Sequence, residues 1–174
     1  MKRLLSSFLL CCFFLNLYSI NIDSLLGIWK DTTLKFSVRS NAISDIIFKG
    51  YLYSQTDSAL FYANIYYKTT SSIGDSIQLA NALNLIGLVY NMKGENIKSI
   101  DYLMKSLNIN ESIRHFDGIT NCYNGIGHVY YSLGQYDKAL SYYELIYNAC
   151  IEGDMAKDLI DRKLASYYNN VGTI

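Results

Sequence analysis

The 174-residue sequence contains no proline, one tryptophan and two histidines. The missing proline, together with 17 tyrosines, is compatible with a nucleotide bias and carries little functional weight. The scarcity of histidine matters more, because His115 and His128 have no partner at the spacing of metal ligands. No group of serine, histidine, cysteine or acidic residues has the arrangement of a catalytic site. We therefore expect no catalytic residue, no metal, no cofactor and no enzyme activity within these residues.

An excess of charge of one sign is also missing, since 15 basic residues balance 15 acidic ones. A balanced chain lacks the strongly positive field that nucleic-acid binding requires, so we expect no nucleic-acid partner. The hydrophobic fraction of 51% is ordinary for a globular protein of this length.

The N-terminus has the layout of a secretory signal peptide. Lys2 and Arg3 precede an apolar run over residues 4–17, which is shorter than the roughly 20 residues needed to span a bilayer. Cleavage after Ser19 would leave residues 20–174. We expect an exported protein, either periplasmic or on the outer face of the inner membrane, with a membrane attachment only through a segment that follows residue 174.

The four cysteines allow two further interpretations. Cys11 and Cys12 follow leucines rather than the small residues of a lipidation site, so plain export is favoured over a lipoprotein. Cys122 and Cys150 would remain after cleavage. They are either two small buried apolar residues, which we favour, or a disulfide formed outside the cytoplasm.

An internal repeat appears when the sequence is aligned with itself. The segment from Ala80, ANALNLIGLVYNMKGENIKSIDYL, aligns with the segment from Thr120, TNCYNGIGHVYYSLGQYDKALSYY. The shorter segment ASYYNNVGTI from Ala165 continues the series. The recurring positions are Gly87, Gly127 and Gly172, then Tyr90 and Tyr130, Gly94 and Gly134, and Ser99 and Ala139, with Tyr136 at the start of the second stripe.

The apolar spacing inside each unit indicates two antiparallel helices joined by a tight turn. Gly94 and Gly134 fall where the end of a helix favours a left-handed backbone. Gly87 and Gly127 lie inside a helix, where glycine costs about 1 kcal/mol relative to alanine, so we expect a partner helix to approach closely there.

The stretch GIGHVYYSLGQYDKALSYY resembles the tetratricopeptide repeat, a helix–turn–helix unit with this order of glycine, tyrosine and alanine. The resemblance covers residues 40–174 and implies an all-α, right-handed superhelical solenoid. It divides the chain into a signal peptide (1–19), a linking segment (20–39), a degenerate repeat (40–79), two repeats (80–119 and 120–164) and a truncated repeat (165–174). In the linking segment, Trp29 either is a platform for a ligand or, as we favour, packs an N-terminal helix onto the first hairpin.

The repeats are similar to exported bacterial arrays that form the sensor region of membrane-bound histidine kinases or of transcriptional regulators. That resemblance implies a protein- or peptide-binding scaffold, and we expect the sequence to be a fragment of such a signalling protein. Two alternatives remain: a free-standing exported adaptor that assembles envelope proteins, and a recruiting arm of an enzyme whose catalytic domain follows residue 174.

The concave face of such a solenoid is lined by the first helix of each hairpin, outside its packed stripe. A ladder of amides there would suit the backbone of a bound peptide, although asparagine is also common and harmless on a solvated helix. His128 is either a pH-sensitive contact or an ordinary surface histidine. The candidate groove residues are Asn81, Asn84, Leu88, Asn91, Asn121, Asn124, His128, Tyr131 and Asn169.

Overall fold

The computed structural model describes residues 21–174, and the predicted signal peptide lies outside this range. The described residues form eight α-helices and one π-helical segment, and no strand. No helix among them is long and apolar enough to cross a membrane. The elements are α1 (Ile22–Lys30), α2 (Phe36–Asp45), the π-helical segment (Ile46–Tyr51), α3 (Thr56–Ile73), α4 (Ser76–Met92), α5 (Asn96–Ser112), α6 (Phe116–Ser132), α7 (Tyr136–Glu152) and α8 (Lys157–Val171).

Successive helices pack as antiparallel hairpins, which confirms the all-α repeat fold. The first hairpin joins α2 and the π-helical segment to α3, the second pairs α4 with α5, and the third pairs α6 with α7. Helix α8 packs on the third hairpin. The hydrophobic core runs through all three hairpins, so each unit buries its apolar face against its neighbour.

Trp29 attaches α1 to the first hairpin. Its ring is 8% exposed and lies edge-on to the ring of Tyr66, with centroids 6.1 Å apart. Arg39 lies over the Trp29 ring and donates a hydrogen bond from Nε to the Trp29 carbonyl at 2.9 Å. The linking segment is therefore packed onto the first hairpin and held there by both an aromatic and a polar contact.

Glycine allows the tight turn in the second and third hairpins. Gly94 and Gly134 have φ values of +74° and +69°, the left-handed conformation that glycine adopts at little cost. The next residue in each turn donates its N–H back to a helix carbonyl, Glu95 to Tyr90 and Gln135 to Tyr130, at 2.9 Å. These bonds satisfy carbonyl groups that the helix end leaves without a partner.

Gly87 and Gly127 lie where the two helices of a hairpin cross. A Cβ atom on Gly87 would stand 2.7 Å from Cγ of Leu103, and one on Gly127 would stand 2.3 Å from Cε1 of Tyr143. The Ser99 hydroxyl donates to the Gly87 carbonyl at 2.7 Å across the first of these crossings. Each glycine thus makes room for a buried side chain of the partner helix. Gly172 differs, because it caps the C-terminus of α8 and meets only carbonyl oxygens of that helix.

Stacked tyrosines join the two helices of each hairpin at one repeated position. The ring centroids are 5.5 or 5.6 Å apart and the rings are within 20° of parallel. A lysine amine lies over each ring of the second hairpin's pair and over one ring of the third hairpin's pair. The pairs are Tyr51 with Tyr62, Tyr90 with Tyr102, and Tyr130 with Tyr142.

The helices begin before the repeat boundaries that the alignment predicted. Helix α4 begins at Ser76 rather than at residue 80, α6 at Phe116 rather than 120, and α8 at Lys157 rather than 165. Self-alignment detects the first similar residues, whereas a helix begins at its cap. For α4 the cap is Asp75, whose carboxylate accepts a hydrogen bond from the Gln78 N–H at 3.1 Å.

Candidate functional site

A hollow of about 440 Å³ lies on the face formed by the first helices of the three hairpins. We name it the Phe48 hollow. Five of the nine predicted groove residues line it: Leu88 and Asn91 of α4, and Asn124, His128 and Tyr131 of α6. They meet because positions one helical turn apart lie on one face of each helix, and the repeat packing sets these faces side by side.

The first hairpin contributes further lining residues, which sequence reasoning did not identify. Phe48, Leu52 and Tyr53 lie in or just after the π-helical segment and line the same hollow. The Leu52 N–H donates to the Ile47 carbonyl at 2.8 Å, the five-residue step that defines this helix type. The sequence does contain an indication of this unit. Tyr51 precedes Tyr90 by nearly the repeat length, so it marks the first hairpin even though that hairpin lacks the repeat glycines.

A second hollow of about 500 Å³ lies between α6 and α8, and we name it the Lys163 hollow. Lys163 is 2.6 Å from the Asp117 carboxylate and donates to the Asn121 amide oxygen at 2.6 Å. Asn124 lines both hollows. The two hollows therefore form one elongated surface, with charged groups at one end.

The remaining predicted amides are used within the chain or lie elsewhere. Asn84 donates to the Cys122 sulfur at 3.7 Å, and Asn81 lies close to the hydroxyl of buried Tyr66. Asn169 is exposed and lines neither hollow. Its neighbour Asn170 donates instead to the Asn124 amide oxygen at 2.6 Å. Asn84 and Asn170 therefore bridge successive first helices, and the predicted amides do not form an open row.

The Phe48 hollow has no charged side chain among its lining residues. His128 is exposed at one edge, but loss of surrounding water lowers the pKa of its imidazole below the ordinary 6.5. The Tyr143 hydroxyl lies 3.4 Å from His128 Nδ1, and burial raises the pKa of Tyr143 to about 12. Near neutral pH both groups are uncharged, so the lining is neutral.

The lowered pKa of His128 makes stability depend on pH. The folded chain binds this proton less tightly than the unfolded chain, so stability is lost as the pH falls below about 6.5. Replacing His128 with glutamine is expected to make that acid-side loss smaller, as measured by urea unfolding at pH 8 and pH 5. The pH 8 measurement is the internal control, and an unchanged pH dependence in the variant would contradict the prediction.

Cys122 lies in a buried polar cluster between α5 and α6, and both it and Cys150 are free thiols. The Cys122 sulfur is 3.2 Å from the Ser106 hydroxyl and 3.7 Å from the Asn110 amide nitrogen. Ser106 in turn donates to the Ala80 carbonyl of α4 at 2.7 Å. Burial raises the pKa of both thiols, which favours the unreactive protonated form.

We expect Cys122 and Cys150 to react with iodoacetamide far more slowly in the native chain than in urea. Burial excludes the reagent, and the raised pKa reduces the reactive thiolate. Because the full chain also contains Cys11 and Cys12, modification is assigned to each cysteine by mass spectrometry of its peptide. Rapid native modification of Cys122 would be incompatible with its buried position.

No group of three or more histidine, cysteine or acidic side chains within residues 21–174 is placed to hold a metal ion. The surface formed by the Phe48 and Lys163 hollows offers two depressions, apolar side chains and amide groups. Such features suit the binding of another molecule, with orientation set by a few polar contacts.

Comparison with known proteins agrees with the observed fold. Residues 78–152 match the family model described as Tetratricopeptide repeat. No match was found among curated proteins. Among solved structures, BtubC (BKLC) from P. vanneervenii superimposes with a TM-score of 0.55 at 17% sequence identity, over 86% of this chain and 63% of that one. The present chain thus spans less than two thirds of the length of that neighbour, and the likeness shows the fold alone. Residues 78–152 are thus tetratricopeptide repeats, and the described chain as a whole has the same fold of stacked helical hairpins.

Proposed function

We propose that the chain is a scaffold that binds a protein or peptide partner along the surface formed by α4, α6 and the first hairpin. Tetratricopeptide repeats generally bind protein partners. The observation that carries the proposal is the Phe48 hollow, where three hairpins bring apolar and amide side chains together on one open face. An extended or helical segment lying there would gain both apolar burial and amide hydrogen bonds.

Site-specific photo-crosslinking in cells tests this surface. A photoreactive phenylalanine analogue is placed at Tyr131, which lines the Phe48 hollow, or at Tyr67 on α3 as the matched control. Both tyrosines are 37% exposed, so accessibility does not separate them. Light-dependent adducts are expected at position 131 and not at 67. The proposal would be contradicted if adducts formed at neither position 131 nor position 67, or equally at both.

We further propose that this scaffold is exported and is the sensor region of a bacterial signalling protein. Export is supported by the basic residues and apolar run within residues 1–19. The sensor role is supported by the resemblance to exported repeat arrays of histidine kinases and regulators. A partner would then be an envelope or secreted protein.

Export and signalling are tested separately. An alkaline phosphatase fused after residue 174 becomes active only outside the cytoplasm, so activity that disappears on deleting residues 1–19 is the expected result. Equal activity with and without these residues would contradict export. For the sensor role, the downstream coding sequence is expected to contain an apolar span and a kinase or DNA-binding domain, and a stop codon after one more helix would favour the free-standing adaptor.

A further inference from the structure

We infer that the Phe48 hollow receives an uncharged aromatic or long aliphatic side chain of the bound polypeptide, and that the π-helical segment sets this preference. The inference rests on the proposed binding function and adds the chemistry of what is bound. It also places a specificity-determining wall at Phe48 and Tyr53, outside the residues 78–152 that match the family model.

The first step of the argument is the exposure of these aromatic rings. Phe48 and Tyr53 are 41% and 70% exposed, and their rings meet edge to face with centroids 6.0 Å apart. On the same segment Ile46 and Ile47 are completely buried. The segment therefore directs two isoleucines into the core and leaves an aromatic pair at the hollow. π-Helical turns are rare and occur often at functional sites.

The second step is the apolar contribution of the other two hairpins. Leu88 and Met92 of α4 and Tyr131 of α6 line the same hollow as the aromatic pair. Met92 is 44% exposed, and methionine adapts its shape to different apolar partners. A volume of about 440 Å³ lies within the roughly 300–1,000 Å³ typical of ligand sites. The hollow is large enough for a bulky side chain.

The third step is charge, which decides against an ionised side chain. None of the lining residues is acidic or basic apart from His128, whose imidazole is neutral near neutral pH. A carboxylate or ammonium group placed here would lose water without meeting an opposite charge. An apolar side chain would meet no such penalty, and its burial is favourable.

The fourth step is the pair of amide side chains, which favours a polypeptide over a small apolar molecule. Asn91 of α4 and Asn124 of α6 line the hollow from two neighbouring helices. The Asn124 oxygen accepts from Asn170, while its amide nitrogen makes no side-chain bond with any residue of the described range. An amide side chain both donates and accepts hydrogen bonds, so these two can pair with the backbone of a chain whose side chain is buried in the hollow. The surface then continues past Asn124 into the Lys163 hollow, so an extended chain has room to run on.

Selection from a displayed library of random short peptides tests the inference with the full chain as bait. Peptides with a central phenylalanine, tryptophan, leucine or methionine are expected to be enriched. Replacing Phe48 and Tyr53 together with serine should reduce capture of the selected peptides by about tenfold or more. Phe61→Ser is the matched control, because Phe61 is 61% exposed on α3 of the same hairpin and lines no part of the hollow. Thermal unfolding and Trp29 fluorescence check that each variant is folded.

Each outcome has a defined meaning. Apolar enrichment that the Phe48 and Tyr53 variant loses and the Phe61 variant keeps supports the inference. Enrichment of acidic or basic central residues overturns it, as does capture that is unaffected by the double replacement. If no peptide is selected, the inference that a polypeptide occupies the hollow is overturned. If adducts still form at position 131 in the crosslinking experiment, only the assigned chemistry fails and the binding surface stands.

Discussion

Replacing Leu103 with alanine is expected to lower the free energy of unfolding by about 2–5 kcal/mol. Leu103 is fully buried on α5 and lies against two glycines on two different helices. Its Cγ occupies the space where a Cβ on Gly87 of α4 would stand, and its Cδ2 does the same for Gly125 of α6. One side chain thus fills the gap between the second and third hairpins. The helices are backed by packed residues and cannot collapse fully onto the vacated space.

Ile97→Ala provides the control for this prediction. Ile97 lies on the same helix but is 89% exposed, so its removal is expected to change stability by no more than about 0.5 kcal/mol. Urea unfolding followed by far-ultraviolet circular dichroism measures both variants. Equal effects of the two replacements would show that Leu103 does not couple the hairpins.

Replacing Gly127 with alanine is expected to destabilise the chain by about 1–3 kcal/mol, although alanine is the better helix former. The added Cβ would overlap the ring of Tyr143, which is 1% exposed and belongs to the buried core of the third hairpin. Strain at the α6–α7 crossing then exceeds the gain in helix propensity. Thermal and urea unfolding of the variant measure the net effect.

Gly27→Ala is the matched control, because Gly27 is also inside a helix but has no atom within 4 Å of an added Cβ. This variant should gain about 0.5–1 kcal/mol from helix propensity. The cause is tested by adding Tyr143→Ala to Gly127→Ala. If the Tyr143 ring is the obstacle, the double variant loses less stability than the two single losses added together. Simple additivity would place the strain elsewhere.

The hairpin fold could be predicted because its landmarks are local and repeat. A glycine after a helix and a glycine at a crossing each have one main physical use, so the pairs Gly94 with Gly134 and Gly87 with Gly127 were enough to set the helix order. The α4 and α6 side of the Phe48 hollow followed from the same register. Its first-hairpin side did not, because that unit lacks these glycines and its π-helical turn changes the register.

The roles of individual amides could not be predicted from their positions. Asn84 and Asn124 occupy equivalent places in the repeat, yet Asn84 contacts the Cys122 sulfur and Asn124 accepts from Asn170. Whether an amide is free depends on the residue that faces it, and that residue is 38 or 46 positions away. The self-alignment gave Asn169 the same repeat position as Asn124, but it is the adjacent Asn170 that contacts Asn124. A shift of one residue on a helix moves a side chain by about 100° around the axis.

Helix α8 differs from the others in how it is held. None of its residues within Lys157–Val171 is fully buried, and polar contacts to Asp117, Asn121 and Asn124 attach it to α6. Local separation of such a helix costs less free energy than opening a core helix, so we expect α8 amide protons to exchange with solvent ahead of those in α4 to α7. The two hollows then differ in compliance. The Phe48 hollow is lined by the core helices α4 and α6. One side of the Lys163 hollow is α8, which moves more easily. A bound chain that continues past Asn124 would therefore lie against a helix that can shift to fit its width.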